Sequence, residues 1–527
     1  MENKKNIIIL TIFFVIISIF FYGKTGNMLI DFSRESYIPF QINNNEHLIK
    51  NILLIYGPLG YILNSFLYKI STNINLILIE AHVISYGILI LFYLIANKFL
   101  SNKASLILSV FFVLISIFSF STFSFVLPYS YSTLVAILGI YLAIFSLLYD
   151  KKTTLFLSLG LILSARIEFF IPVFIISLLH LIHSKKNFKK EIGYILIFPS
   201  ICLLYFLINS INLEDIIKNS YYLSNMLNAN SLKHLYKGMG SFFEINYFKF
   251  NLIISIKLLL VSSISYFFAL TKKENIAYFV FIIGLLFIDV TNAFNLLGIF
   301  TIILTIIYFK KGKIEKNELI LILTSLAICL KSIFATNSLN YANFGYFLLI
   351  LSCFLLLQKN LNKKWLMNTL IIFLIFSTVK NVTYYVELPK EKIKTKIGNL
   401  YINKNESEIF KKTNYYIEKN IKPNESFVVL PEGQLFNLIH KKSYNYPNYT
   451  FTPLDFETFK EEEIIQNLKN NKTDYIIFYP RNTLDYGAQT ICYDYAVDFC
   501  YYIIDNYTKV ATIDNNMKVL IFKLNEK

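Results

Sequence analysis

The chain has 527 residues, of which 55% are apolar, 17% aromatic and 16% charged, and its net charge is +16. An average soluble protein carries about 25% charged and about 45–50% apolar residues, so an ordinary soluble enzyme and a disordered chain are both excluded. Five cysteines, at 202, 329, 353, 492 and 500, exclude a disulfide scaffold and a zinc module. The abundance of Ile, Asn, Lys, Phe and Tyr beside 17 Gly, 11 Pro and 1 Trp matches an AT-rich coding bias, which lowers the weight of any Asn-rich loop or lysine cluster.

Lys4 and Lys5 precede an apolar run at about 7–22. The run exceeds a signal-peptide core and no small-x-small cleavage site follows, so it reads as an uncleaved first span. Further apolar runs lie at about 74–97, 104–121, 131–149, 153–165, 167–183, 192–210, 251–270, 276–289, 292–309, 318–336, 341–357 and 365–384. The expectation is a polytopic α-helical membrane protein with about 13 transmembrane helices, each crossing a hydrocarbon core about 30 Å thick. Several runs are shorter than usual, which suits helices packed against protein rather than lipid.

Charge tests that layout. With a cytoplasmic N-terminus and alternating spans, the inner connections collect 19 lysines, while the short outer loops at 122–130 and 337–340 hold no Lys or Arg. This obeys the positive-inside rule. The basicity is therefore read as a topology signal, with the lipid bilayer of the cytoplasmic (inner) membrane as the partner and no nucleic acid. The layout divides the chain into a transmembrane domain at 1–387, with outer loops 23–73 and 211–250, and a C-terminal extracytoplasmic α/β domain at 388–527.

Within the tail, helical spacing covers Glu406–Asn420, Glu461–Lys469 and Tyr493–Asp505. Strand patterns cover Ser426–Leu430, Asp474–Tyr479, Lys509–Ile513 and Met517–Leu524. Cys492 and Cys500 lie on an oxidising side under this topology. Eight residues apart on one continuous helix they would stand about 12 Å apart, so a bridge requires Cys492 outside the helix.

The first outer loop carries the most chemistry: Asp31-Phe32-Ser33-Arg34-Glu35-Ser36-Tyr37-Ile38-Pro39, then Tyr56-Gly57-Pro58-Leu59. Asp31 and Glu35 are four apart and share a face on a helix, with Arg34 within reach of Asp31. A carboxylate at a wet membrane interface suits a general base for an acceptor hydroxyl. The plain alternative is a capped surface helix with a loop ion pair.

These features resemble the GT-C fold glycosyltransferases, a superfamily that includes protein O-mannosyltransferases and bacterial aminoarabinose transferases. The shared features are a first span followed by an acidic residue, short juxtamembrane helices, about thirteen spans and an outer α/β domain. The 31–61 segment resembles more closely an uncharacterised bacterial subgroup of that superfamily. The resemblance implies transfer of a sugar from a polyprenyl-phosphate donor to a cell-envelope glycan, lipid or protein at the outer face, usually with inversion. On that reading Asp31 matches the catalytic acidic residue, supported by Arg34 and Glu35, and Tyr56 contacts sugar or acceptor. Many members carry a second acidic residue in the next outer loop. Here that loop, Ser121–Ser130, has no carboxylate, which puts a divalent metal in doubt; no metal ligands are assigned.

Arg166 and Glu168 lie at a tight outer hairpin, and charges at such depth usually face a cavity or each other. Arg166 is expected at the carrier phosphate and Glu168 at the sugar; snorkelling to headgroups is the plain alternative for Arg166. Lys331, inside the 318–336 run, is the second expected phosphate ligand, placed to stabilise charge on the leaving group. In the 211–250 loop, His234 and Lys237 are expected acceptor contacts, with Tyr236 and Glu244 beside them. No P-loop, G-x-G-x-x-G, H-E-x-x-H or C-x-x-C motif occurs. Two other classes remain: a secondary transporter or lipid-linked glycan flippase, which should show an internal repeat and midplane charges, and a non-catalytic envelope scaffold, which should leave Asp31, Arg166 and Lys331 scattered.

Overall fold

In the computed structural model the chain is mostly helical, with a small sheet domain at its C-terminal end. The structure describes residues 2–119, 124–127, 130–184, 188–238, 245–289, 296–329, 345–387, 389–443, 447–513 and 519–525.

The helices of the first half are α1 (Glu2–Phe21), α2 (Asp31–Asn43), α3 (Leu59–Ile70), α4 (Ile74–Asn97), α5 (Asn102–Phe112), α6 (Tyr131–Leu148), α7 (Lys152–Ala165), α8 (Ile167–His183) and α9 (Ile197–Ile208). They continue with α10 (Leu213–Asn228), α11 (Asn230–Gly238), α12 (Ile245–Leu270), α13 (Glu274–Leu286), α14 (Leu297–Lys310), α15 (Lys316–Ile328), α16 (Tyr346–Leu357) and α17 (Lys363–Glu387). Each of the thirteen apolar runs thus contains a helix. Five helices among the described residues are long and apolar enough to cross a bilayer alone, or six if the pair 192–208 and 213–228, bent by 112°, counts as one span. Six more apolar helices have 10–17 residues, so helix length by itself does not reach the expected thirteen.

Polar residues start these helices where propensity alone would not. Ser101 and Ser130 accept from the amides of Ala104 and Thr133, Asn73 accepts from Asn75, and Asn212 with Asp215 forms a capping box. Each satisfies an amide that the first helical turn leaves unpaired. The lysine-bearing connections meet one another: Lys359 pairs with Glu318 at 2.7 Å, Lys364 with Glu274 at 2.8 Å, and Lys98 lies over the Tyr149 ring at 5.3 Å.

After α17 the chain enters β1 (Lys390–Thr395) and β2 (Gly398–Asn403), an antiparallel hairpin that the sequence pattern did not suggest. The domain continues through α18 (Lys404–Asn420), β3 (Phe427–Leu430), α19 (Gln434–Ile439), α20 (Pro453–Phe459), α21 (Glu461–Asn471), β4 (Tyr475–Phe478), α22 (Val497–Asn506), β5 (Tyr507–Ile513) and β6 (Val519–Leu524). The second sheet has the order β3-β4-β6-β5, with β3 and β4 parallel and the other pairs antiparallel. All four residues of β3 are buried, which is why it reads as a short apolar run without alternation.

Cys492 and Cys500 are bridged, with Cα atoms 5.4 Å apart. The sequence pattern suggests a helix from Tyr493, but α22 starts at Val497. Residues 491–495 instead close a turn, with an Ile491–Tyr495 bridge and Cys492 at φ 74°. That puts Cys492 outside the helix. Cys202, Cys329 and Cys353 are free and buried.

The sheet domain docks on the segment that includes α2 and the start of α4, and on α10 and α11. Helix α2 packs on α19, the Tyr37 hydroxyl donates to the Lys442 carbonyl (3.1 Å), and the Leu53 amide donates to the Pro447 carbonyl (3.2 Å). The Ile74 amide donates to the Ile397 carbonyl (2.8 Å) in the β1–β2 turn. Helix α10 adds Asn225 to the Thr458 carbonyl (3.1 Å), and the Ser231 amide at the start of α11 donates to Glu457 (3.1 Å). One buried core runs from the helical bundle into this domain.

Candidate active site

Asp31 opens α2, and its negative charge suits the positive end of the helix dipole. One turn later, Arg34 reaches back to it, with Nη2 3.8 Å from Oδ1. Its Nε lies 3.5 Å from Glu35 Oε1. Glu35 is fully buried and held on both oxygens: the Tyr131 amide donates to Oε2 (2.9 Å) and the Tyr61 hydroxyl to Oε1 (3.2 Å). The Tyr131 amide is in the first turn of α6, so Glu35 also caps a bundle helix. Burial raises the Glu35 pKa, opposed by Arg34, the Tyr131 amide, the Tyr61 hydroxyl and Arg166. Burial works against the Arg34 cation, but Glu35 and Asp31 outweigh it and Arg34 stays charged.

Asp31 differs from Glu35 in keeping about a fifth of its side-chain surface open, at 20% against 0%. Burial lifts its pKa above the ordinary carboxylate range. Arg34 and then Arg481 oppose this, while Asp485 adds to it. Arg481, from the sheet domain, donates through Nε to Glu432 (2.7 Å) and through Nη2 to Asp485 (3.0 Å). Burial also raises Glu432, countered by Arg481, and its field includes Asp31 and Arg34. The charge environment of Asp31 therefore includes Arg481 and Asp485, about 450 positions later in the chain.

Arg166 approaches from the bundle side. It caps α8 from an extended backbone and is 9% exposed. Its guanidinium stacks on the Tyr56 ring, 3.6 Å from the centroid, bonds the Thr133 hydroxyl, and pairs with Glu168 at 2.7 Å. Glu168 is half exposed, at 52%, which makes it the most exchangeable partner in the set. The Tyr56-Gly57-Pro58 turn fits because Gly57 lacks a side chain: a Cβ there would stand 2.3 Å from the Ser164 carbonyl oxygen and 2.5 Å from that of Ala165. Gly57 is tied by its amide to the Ala165 carbonyl (3.0 Å) and by its carbonyl to the Ser132 hydroxyl (2.7 Å).

Asp31, Arg34, Glu35, Tyr56, Arg166 and Glu168 thus form one neighbourhood. His234 and Lys237 belong to α11, where the His234 ring lies against Gly487, with 2.9 Å between its Cγ and the Cβ that Gly487 lacks. His234 packs the 481–495 loop, and Lys237 is exposed. Lys331 lies outside the described residues, as do Glu244 and the 340–344 segment. Sequence reasoning missed Arg481, Glu432, Asp485 and Tyr61. One signal for Arg481 was available: the chain has only three arginines among its 50 basic residues, Arg34, Arg166 and Arg481, and all three converge here. Among the described residues no three His, Cys, Asp or Glu side chains gather into a metal-holding cluster.

No family model matches the chain, and no curated protein matches it. Among solved structures it is similar to the archaeal oligosaccharyltransferase AglB from Archaeoglobus fulgidus, determined in complex with an inhibitory peptide and a dolichol-phosphate. The identity is 11% and the TM-score 0.48, with 99% of this chain and 74% of that chain covered. At that degree of likeness the functional reading rests on this chain's own residues.

Proposed function

We propose that the chain is a membrane glycosyltransferase of GT-C type, moving a sugar from a polyprenyl-phosphate donor to a cell-envelope acceptor at the outer face of the cytoplasmic membrane. The observation that carries this reading is Asp31: a partly open carboxylate beside Arg34 and in the field of Arg481, at the head of a juxtamembrane helix, beside a fully closed carboxylate, Glu35. A closed, fully bonded carboxylate is structural. A partly open one whose pKa burial raises above the ordinary carboxylate range is suited to take a proton from an acceptor hydroxyl.

In the reaction, the acceptor hydroxyl oxygen attacks the anomeric carbon while Asp31 takes its proton. The bond from that carbon to the phosphate oxygen breaks, and its electron pair leaves with the carrier phosphate. Arg34 holds Asp31 ionised and oriented. Arg166 exchanges its outer partner, Glu168, for the phosphate, while Tyr56 keeps the guanidinium plane fixed. Lys331 is the second proposed phosphate ligand. Tyr56, Glu168, His234 and Lys237 are the proposed sugar or acceptor contacts, His234 acting through the 481–495 loop it packs. The transmembrane domain is assigned to 1–387 and the outer domain to 388–527.

The test is envelope-glycan mass spectrometry of a deletion strain complemented with wild type or Asp31→Asn. Wild type should restore a glycan species missing from the deletion strain, and Asp31→Asn should not. An Asp31→Asn protein that restores it fully sinks the mechanism. A deletion strain with an unchanged glycan profile sinks the transferase reading.

A further inference from the structure

A second concave site lies in the sheet domain, a cleft of about 730 Å³ with Arg481 in its wall. That volume falls within the range of small-molecule pockets, about 300–1,000 Å³. Its floor is the half-buried face of the central strands: Phe478 of β4, and Leu520 and Phe522 of β6, with Phe478 and Phe522 rings 5.6 Å apart. The opposite face of β6, Val519 and Ile521, is fully buried in the core. The wall is the 481–495 loop, which brings Gln489 and Thr490, both exposed, to the rim.

That loop is held rigidly for a segment without regular structure. Arg481 ties its start to Glu432, the Thr483 hydroxyl donates to the Ala488 carbonyl (2.6 Å), and the Cys492–Cys500 bridge closes its end. Glu406 contributes a carboxylate. Tyr479 is among the lining residues; its ring packs on Phe436 (centroids 5.3 Å apart), and its buried hydroxyl has no hydrogen-bond partner among the described residues.

We infer that this cleft is a subsite for a neutral glycan portion of the acceptor, lying beside the Asp31 site and sharing Arg481 with it. The inference rests on the transferase reading. The chemistry selects a sugar in three ways. The rim offers donors and acceptors on side chains, as a polyhydroxylated ligand requires, and the floor offers aromatic and apolar surface to the C–H face of a pyranose ring. An anion is disfavoured, because Arg481 is already committed to Glu432 and Asp485 and Glu406 adds negative charge. A peptide added as a strand is disfavoured, because the floor is the face of two central strands and offers no free backbone edge.

The experiment uses the full-length protein in lipid nanodiscs and saturation-transfer NMR, with chitotriose, mannotriose and cellotriose as probes and tri-alanine as the peptide control. At least one trisaccharide should receive saturation above the empty-nanodisc blank. A Gln489→Ala/Thr490→Ala protein should bind it at least fivefold more weakly. Asp31→Asn should bind it as wild type does, which separates this site from the catalytic step. The inference is overturned if no trisaccharide binds, if the double variant binds unchanged, or if tri-alanine displaces the sugar. Loss of sugar binding with intact glycan transfer would leave the transferase reading standing and remove the subsite.

Discussion

Glu35 offers the sharpest test of how the site is held, because its partners are all in place and none needs a substrate. In Glu35→Ala the Tyr131 amide and the Tyr61 hydroxyl lose their acceptor, and Arg34 loses the nearer of the two carboxylates it spans. Orphaned buried donors cost about 1–3 kcal/mol each, and breaking a buried ion pair costs about 3–5 kcal/mol. These overlap, so we take about 4 kcal/mol for the alanine variant. Glu35→Gln keeps an oxygen for the Tyr131 amide, and its NH2 group meets a Tyr61 hydroxyl free to rotate and accept. Only the charge opposite Arg34 is lost, for about 1–2 kcal/mol. The free cysteines Cys202, Cys329 and Cys353 are buried, so a thiol-reactive fluorophore reports unfolding in detergent. At about 2 °C per kcal/mol, the apparent Tm should fall by about 8 °C for alanine and about 2–4 °C for glutamine. A Glu35→Ala protein melting within about 2 °C of wild type would refute the account of Glu35 as the joint between α2 and α6.

Four further outcomes follow from the same geometry. Arg166→Lys retains the charge but loses the planar stack on Tyr56 and the fork to Glu168 and Thr133, so glycan transfer should fall at least about tenfold with little change in Tm; unchanged transfer would remove Arg166 from the site. Gly57→Ala drives a Cβ into the Ser164 and Ala165 carbonyl oxygens, so it should cost about 1–3 kcal/mol and fail to complement. Gly193→Ala, in open space, is the control and should be silent. The base must be ionised, and burial raises its pKa, so transfer should rise with pH through a limb above the ordinary carboxylate value. Arg34→Gln should move that limb up by about 1–3 units; a limb that stays put or falls would contradict the assignment. Burial lowers Lys390 to about 8, so between pH 8 and its unfolded value the unfolded chain binds the extra proton. Stability should therefore rise across that window and be lost again as pH falls through about 8, and Lys390→Met should flatten the dependence in a melting series.

The fold was legible where one physical signal dominates. Apolar runs located helices closely, with the 74–97 run and α4 sharing both ends. The fully buried β3 and the alternating β6 announced themselves by their two different patterns. Other features answer to interactions that a local pattern does not contain. The β1–β2 hairpin is Lys-rich and one-sidedly exposed; it is held by contacts such as Ile74 to Ile397 and Lys390 to Gly26. The start of α22 is delayed past Tyr493 because the 491–496 turn closes on the disulfide, and a helical hydrophobic pattern continues through that turn regardless. The number of crossings depends on how short helices such as α7 and α16 pack, which run length does not report.

The site was legible on one side only. Asp31, Arg34, Glu35, Tyr56 and Arg166 stand in two short segments whose charges are conspicuous against apolar surroundings. The remaining charge near Asp31 comes from a sheet domain rich in ordinary lysines and carboxylates, where no spacing rule points to Arg481. Composition carries the missing clue. In a chain that uses lysine for almost every cation, three arginines persist. Each one does what an ammonium does poorly: Arg34 spans two carboxylates, Arg166 stacks on a ring while bonding on two further sides, and Arg481 forks between Glu432 and Asp485. A coding bias that favours lysine leaves arginine where planarity and multiple fixed donors are required. Rarity, more than spacing, marks the place where the bundle and the sheet domain meet around Asp31.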